Sequence, residues 1–323
     1  MGSTSSIEWT DATWNPTRGC RKVTKECENC YAMAVAHRFS APGMPYEGLT
    51  RKIGGRAQWT GQARFIPEAL ELPLTWSKPR HIFVDSMSDL FHEDISDLNI
   101  AEVLGVAVAA VHLRGHKFTI LTKRPERMRE LLLTEEFWAQ VNSHADMIVM
   151  DRVDPLNRRR NDARATLDYY GPENPPPGIW LGVSVGDQAT ADARREALRA
   201  TPATIKLVSY EPAIGPIDWA GWEFVHQIIS GGESSPNARP SHPSWHRAAR
   251  DFCAAHGVAY FFKQWGEWSP GYAEHGNDLT YDLLVKAQQH EWPEGFVSFR
   301  VSKKAAGRLL DGREHNDFPR VSS

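Results

Sequence analysis

The sequence predicts an α/β fold: a (β/α) partial or full barrel with loop insertions and a C-terminal extension packed on it. Three observations predict it. Short apolar runs recur along the chain, each near a helix-compatible stretch, which is the pattern of parallel βαβ units. The runs end in polar, often charged residues, among them Asp85, Lys123, Asp187, Glu211, Glu233 and Lys263. Three of the 4 cysteines, Cys20, Cys27 and Cys30, fall within one short window near the N-terminus, where the loop after a first strand would lie.

Taken in order, residues 7–16 read as a short extended segment and turn leading to Cys20. Cys27 and Cys30 have two residues between them, as on a turn entering a helix, and residues 31–39 have helix-compatible composition. Residues 40–78 are punctuated by Gly and Pro and are expected to be irregular. Residues 81–84 form a short buried strand ending in Asp85-Ser86-Met87-Ser88-Asp89, and 95–113 a strong helix capped by Asp94 or Ser96.

The unit then repeats. Strand 117–121 is followed by helix 126–133, and strand 179–183 by helix 189–200. Strands 205–208 and 224–229, a helix near 245–256 and strand 258–262 complete the series. The polar insertion 151–177 carries Arg158-Arg159-Arg160, either a solvated loop or a phosphate-contacting one. Six clear strands, with one more near the cysteine loop, favour a barrel over a flat doubly wound sheet. Residues 1–268 make the barrel and 269–323 the extension, where 296–301 reads as a strand and 305–310 as a short helix closed by Asp311-Gly312.

At 323 residues, 41% of them hydrophobic, the chain can bury a sizeable core. A formal net charge of -3 excludes a generally basic coat for nucleic acid. A local basic groove stays open, with Lys52, Arg56, Arg64, Lys123, Arg124 and Arg158–Arg160 as contributors. No apolar run approaches a membrane span and the first residues lack the features of a signal peptide, so a cytoplasmic protein is expected.

Thiolates gather this closely for a disulfide or a metal centre. An odd set of three suits an iron–sulfur cluster with one open iron, or a zinc site completed by a histidine such as His37. Cys253, in a helical run, reads as a small buried residue. In (β/α) barrels the C-terminal strand ends form the active face, so the polar groups after each strand would converge on one mouth.

A cysteine-rich loop after the first strand of such a barrel resembles the radical S-adenosylmethionine superfamily. More narrowly, Ile7-Glu8-Trp9-Thr10, Trp14-Asn15-Pro16, Cys27-Glu28-Asn29-Cys30-Tyr31-Ala32, Gly231-Gly232-Glu233-Ser234 and Phe262-Lys263-Gln264-Trp265-Gly266 resemble a phage-associated family of uncharacterised radical-SAM-like proteins. The spacing departs from the usual motif, with six residues between the first two cysteines and Asn29 just before the third.

The resemblance implies a 4Fe–4S cluster on Cys20, Cys27 and Cys30, S-adenosylmethionine as second cofactor, and a flavodoxin- or ferredoxin-type reductant. Reduction of the cluster would cleave the sulfonium to a 5′-deoxyadenosyl radical that abstracts a substrate hydrogen. The methionine ammonium needs acceptors, for which Asp85, within the stretch that includes Ser86, or Glu211 would serve. Its carboxylate needs Lys123 or Ser184, and the ribose diol Ser184, Asp187 and Gln188. Glu233 and Lys263, on later strands, would face the substrate as catalytic groups, with a nucleic-acid base or nucleotide and a peptide or protein both open. A zinc-binding nucleic-acid module without radical chemistry is the alternative.

Overall fold

The computed structural model describes residues 5, 7–152, 167–271 and 279–320. The triple arginine Arg158–Arg160 lies outside the described residues. Seven strands form one parallel sheet whose order follows the chain: Ala12–Trp14, His81–Val84, Lys117–Thr122, Ile179–Val185, Ile205–Tyr210, Gln227–Gly231 and Ala259–Gln264. This is the α/β half-barrel expected from alternating apolar runs and helices. The chain divides into two compact units.

The first unit comprises Met1–Lys22, Ala32–Gly182 and Ala197–Ile205. Within it Trp14 pairs with Val84, and Ile82 with Phe118, all four fully buried. The helix Asp97–Arg114 starts where Ser96 Oγ accepts from the Asn99 amide at 3.2 Å and ends at Gly115, whose φ of 68° suits a left-handed cap. Residues 103–110 of that helix are all buried, because a second helix, Glu135–Arg152, packs on it. At Gly105 a Cβ would come within 3.0 Å of the Val141 carbonyl, so the two backbones approach closely.

Glu135–Arg152 is a helix that the sequence reading did not include. Its buried stripe Phe137, Val141, Ala145 and Val149 recurs every four residues. Residues 40–78 also hold more order than expected. Thr50–Ile53 and Arg56–Trp59 form an antiparallel hairpin, and Ala63–Phe65 pairs with Thr17–Gly19. Two of the glycines that suggested irregularity, Gly54 and Gly55, are the turn of the hairpin. Gly19, at φ 89°, ends the strand that pairs with Ala63–Phe65, and a Cβ there would strike the Gln62 carbonyl.

The second unit comprises Val23–Tyr31, Val183–Glu196 and Lys206–Ser323. Gln227–Gly231 pairs in parallel with the strands on either side of it, with Ile228 and Ile229 buried. The helix Pro243–His256 carries Pro in its first turn and stops at Gly257, φ 68°. Trp268–Ser269, Val297–Arg300 and Gln288–Glu291 make a small antiparallel sheet. Residues 315–317 then run along the last parallel strand, with Phe262 N donating to His315 O at 3.0 Å and Asp317 N to Tyr260 O at 3.1 Å. That covers a strand edge otherwise open to wrong pairing. The expected helix 305–310 is only one turn, Lys303–Ala306, and the close at Asp311-Gly312 has φ of 52° and 76°.

Candidate functional site

The cysteine loop is built as a turn. Lys25–Cys27 forms a single 3-10 turn, Cys30 N donates to Cys27 O at 3.4 Å, and the helix Tyr31–His37 begins directly after. Cys20, Cys27 and Cys30 are in no disulfide among the described residues and are of intermediate exposure, whereas Cys253 is buried and its thiol is pushed up by that burial. Cys253 is the small core residue its sequence context suggested.

Within the second unit, two arginines hold the Cys27–Cys30 loop. Arg194, on the helix Gln188–Ala200, donates Nη1 to Glu26 Oε1 at 2.7 Å and Nη2 to Thr24 Oγ1 at 3.0 Å, and also reaches the Ser184 carbonyl. Glu26 lies 3% exposed against Gly186, where a Cβ would strike its Cγ, so only glycine leaves room. Arg239 donates Nη2 to Lys25 O at 3.1 Å and Nη1 to Glu28 Oε2 at 3.3 Å.

Arg239 also holds Glu233, with Nη2 to Oε1 at 2.7 Å, Nε to Oε2 at 3.1 Å and its own amide to Oε2 at 2.8 Å. Asn29 Nδ2 donates to the same Oε2 at 3.0 Å and to Asn237 O at 2.9 Å. Glu233 is therefore 5% exposed and fully engaged, facing the loop. Burial works to lower the Arg239 pKa, but the hydrogen bond and charge of Glu233, with Glu28 and Glu26, raise it instead.

The other strand-end residues of this unit are also committed. Lys263 Nζ donates to both oxygens of Glu211, at 2.7 and 3.0 Å, and Gln264 Nε2 donates to Oε1 at 3.1 Å. Asp187 Oδ1 accepts from the Thr190 amide at 3.0 Å, an N-terminal cap for its helix. Gln188 Oε1 accepts from the Asp218 amide at 2.7 Å, and Ser184 is buried.

In the first unit, Asp85 is the unusual group. It sits at φ 57°, 4% exposed, directly after its strand. Oδ1 accepts from the Thr17 amide at 3.1 Å and from Ser88 Oγ at 2.8 Å, while buried Oδ2 has no hydrogen-bond partner among the described residues. Burial raises its pKa to about 7, against the hydrogen bonds from Ser88 and Thr17 that work to lower it. Ser86 Oγ donates to Asn15 Oδ1 at 3.2 Å.

Nearby in sequence, Asp89 accepts from Thr122 Oγ1 at 2.7 Å, the Lys123 amide at 3.1 Å and Arg124 Nη1 at 3.0 Å. Burial tends to lower the Arg124 pKa, but Asp89, Cys20 and Glu93 outweigh it and raise it. This places the guanidinium in the electrostatic field of Cys20. The Lys123 side chain is half-buried. His37 Nδ1 lies 3.0 Å from Thr50 Oγ1 and 3.2 Å from Ser40 Oγ.

Sequence reasoning named Asp85, Lys123, Ser184, Glu211, Glu233 and Lys263 but missed Arg194, Arg239, Glu26 and Asn29. The first set ends apolar runs and is visible for that reason. The second has no local pattern, because its members meet only through the fold. Among the described residues no three His, Cys, Asp or Glu side chains stand as a ready metal-holding group, and no helix is long and apolar enough to cross a membrane.

Fold and loop together define an α/β half-barrel protein with a thiol-bearing loop after its first strand. The chain belongs to the family described as Protein of unknown function (DUF5131), whose model matches residues 4–319. No curated protein matches it. Among solved structures it is similar to spore photoproduct lyase complexed with dinucleoside spore photoproduct, at 10% identity and a TM-score of 0.34, with 89% of this chain and 67% of that chain covered.

Proposed function

We propose that the protein is a radical S-adenosylmethionine enzyme in which Cys20, Cys27 and Cys30 hold a 4Fe–4S cluster. A flavodoxin- or ferredoxin-type protein would supply the electron, and a nucleotide or nucleic-acid base would be the substrate. One observation carries the reading. Three partly exposed thiols lie close together in sequence, and both residues between Cys27 and Cys30 are held within the second unit, Glu28 by Arg239 and Asn29 by Glu233.

Among the described residues no ready metal-holding group of His, Cys, Asp or Glu stands preformed. The fit lies in donor type, number and exposure, since three thiolates leave one iron open for a second ligand. With S-adenosylmethionine, such a cluster supplies one-electron cleavage of the sulfonium to a 5′-deoxyadenosyl radical. The residues of the chain bind and orient. Asp85 Oδ2, buried and without a hydrogen-bond partner among the described residues, suits the methionine ammonium, and a cation brought there would lower its raised pKa. Lys123 suits the carboxylate. Ser86, Ser184, Asp187, Gln188 and Glu211 are further candidates for cofactor contacts, and Lys263 for substrate. Glu233, enclosed by Arg239 and Asn29, serves the loop instead of proton transfer.

The test is iron and sulfide content after anaerobic reconstitution, with 5′-deoxyadenosine release measured under a strong reductant. About four irons per chain are expected, and most should be lost on replacing any of the three cysteines by Ala. Full iron content and cleavage in one such variant would overturn the reading. Stoichiometric zinc in a colourless protein would favour the zinc-binding alternative.

A further inference from the structure

We propose that the hairpin of Thr50–Ile53 and Arg56–Trp59 is a docking surface for duplex DNA, laid as a two-stranded ribbon in the major groove. The cation distribution comes first. Between residues 38 and 66 the chain carries Arg38, Arg51, Lys52, Arg56 and Arg64 against a single acid, Glu47, although the whole protein is net -3. Arg51, Lys52 and Arg56 are exposed, and none of them pairs with a carboxylate among the described residues.

The register decides what the ribbon presents. Arg51 lies opposite Gln58, and Ile53 opposite Arg56, so these four share one face. Thr50 opposite Trp59 and Lys52 opposite Ala57 share the other. Thr50 and Trp59 are buried, so the second face is rooted in the first unit. Its root is held by Thr60 N donating to Leu49 O at 3.0 Å and by the Trp59 ring, 6.5 Å from that of Tyr46. The first face therefore points outward, with two guanidiniums flanking Ile53, which is 52% exposed.

The tip is thin. Gly54 and Gly55 both take positive φ, 56° and 77°, the two-residue turn that matches strand twist. A Cβ at either would meet nothing, so the turn conformation alone calls for glycine. A ribbon of this width enters the B-form major groove, whereas the deep, narrow major groove of duplex RNA excludes side chains. Guanidiniums on one face match the phosphates along the groove wall. A hairpin with free edges also needs charge to prevent wrong pairing. That role would leave DNA affinity indifferent to its arginines.

Fluorescence anisotropy of a labelled duplex of about 20 bp, titrated with full-length protein between about 50 and 200 mM salt, separates the two roles. Removing two phosphate contacts in Arg51→Gln/Arg56→Gln should reduce the salt slope by about 1.8 and weaken binding roughly tenfold or more. Arg51→Lys/Arg56→Lys, which keeps the charges, should retain most of the affinity, and exposed Lys286→Gln should change nothing. No duplex binding by the unaltered protein would overturn the proposal. So would an unchanged slope in the double variant, or tighter binding of single strands, duplex RNA or anionic vesicles. None of these readouts depends on the cluster.

Discussion

Arg239 closes a two-point grip on Glu233, Nη2 to Oε1 at 2.7 Å and Nε to Oε2 at 3.1 Å, and the same guanidinium reaches the cysteine loop at Lys25 O and Glu28. Glu233 is 5% exposed, so taking the arginine away strands a buried carboxylate. Arg239→Met should cost ~3 kcal/mol by urea unfolding. Hydrogen exchange at residues 24–30 should rise in the metal-free protein. Unchanged protection there would mean that the loop holds itself.

The Arg194–Glu26 pair is more deeply set, with side chains 5% and 0% exposed. Breaking such a pair from one side costs ~3–5 kcal/mol, mostly from the uncompensated charge left behind. Arg194→Met should therefore destabilise more than Arg194→Met combined with Glu26→Gln. Denaturant midpoints of the two variants check this. If the double variant is the weaker of the pair, the penalty does not come from a stranded charge.

Asp85 makes a pH prediction. Its folded pKa is raised to about 7 from 3.8, so between those values the folded state binds the extra proton. Stability must then fall as pH rises through that window, at up to about 1.4 kcal/mol per pH unit. His81 works the other way: burial lowers its pKa from 6.5 to about 4, and stability from this group rises with pH. Asp85→Asn, which mimics the neutral acid, isolates the first contribution by difference. The stability of the variant relative to the unaltered protein should climb from pH 4 to 7. A flat difference would place the Asp85 pKa near its ordinary value.

Much of the fold was legible because βαβ units repeat a simple pattern, and the cap of the helix after the second strand could be narrowed to Asp94 or Ser96, of which Ser96 serves. The strand-end groups were legible for the same reason: parallel strands put all their ends on one edge. Their states were not. Nothing in Gly231-Gly232-Glu233 says that the carboxylate is closed off by an arginine six residues later and an asparagine 204 residues earlier. Gly and Pro density hid the hairpin at Gly54-Gly55, since the residues that break regular structure also make tight turns.

Lys263 and Glu211 give the last test. The ammonium touches both carboxylate oxygens, and the side chains are only 12% and 18% exposed, so the pair is shielded from most of the screening that weakens surface ion pairs. Gln264 adds a third donor to Glu211, which softens the loss when the lysine goes. Lys263→Met should thus cost less than Glu211→Gln, which leaves a partly buried cation without its counter-charge. A double-mutant cycle should return a coupling of about 1–2 kcal/mol. If the reading of the site is right, S-adenosylmethionine should also bind Glu211→Gln more weakly than Lys263→Met, because an ammonium competes for that carboxylate. Additive stabilities would show that the two groups do not act as a pair. Equal cofactor affinities would remove Glu211 from the cofactor contacts.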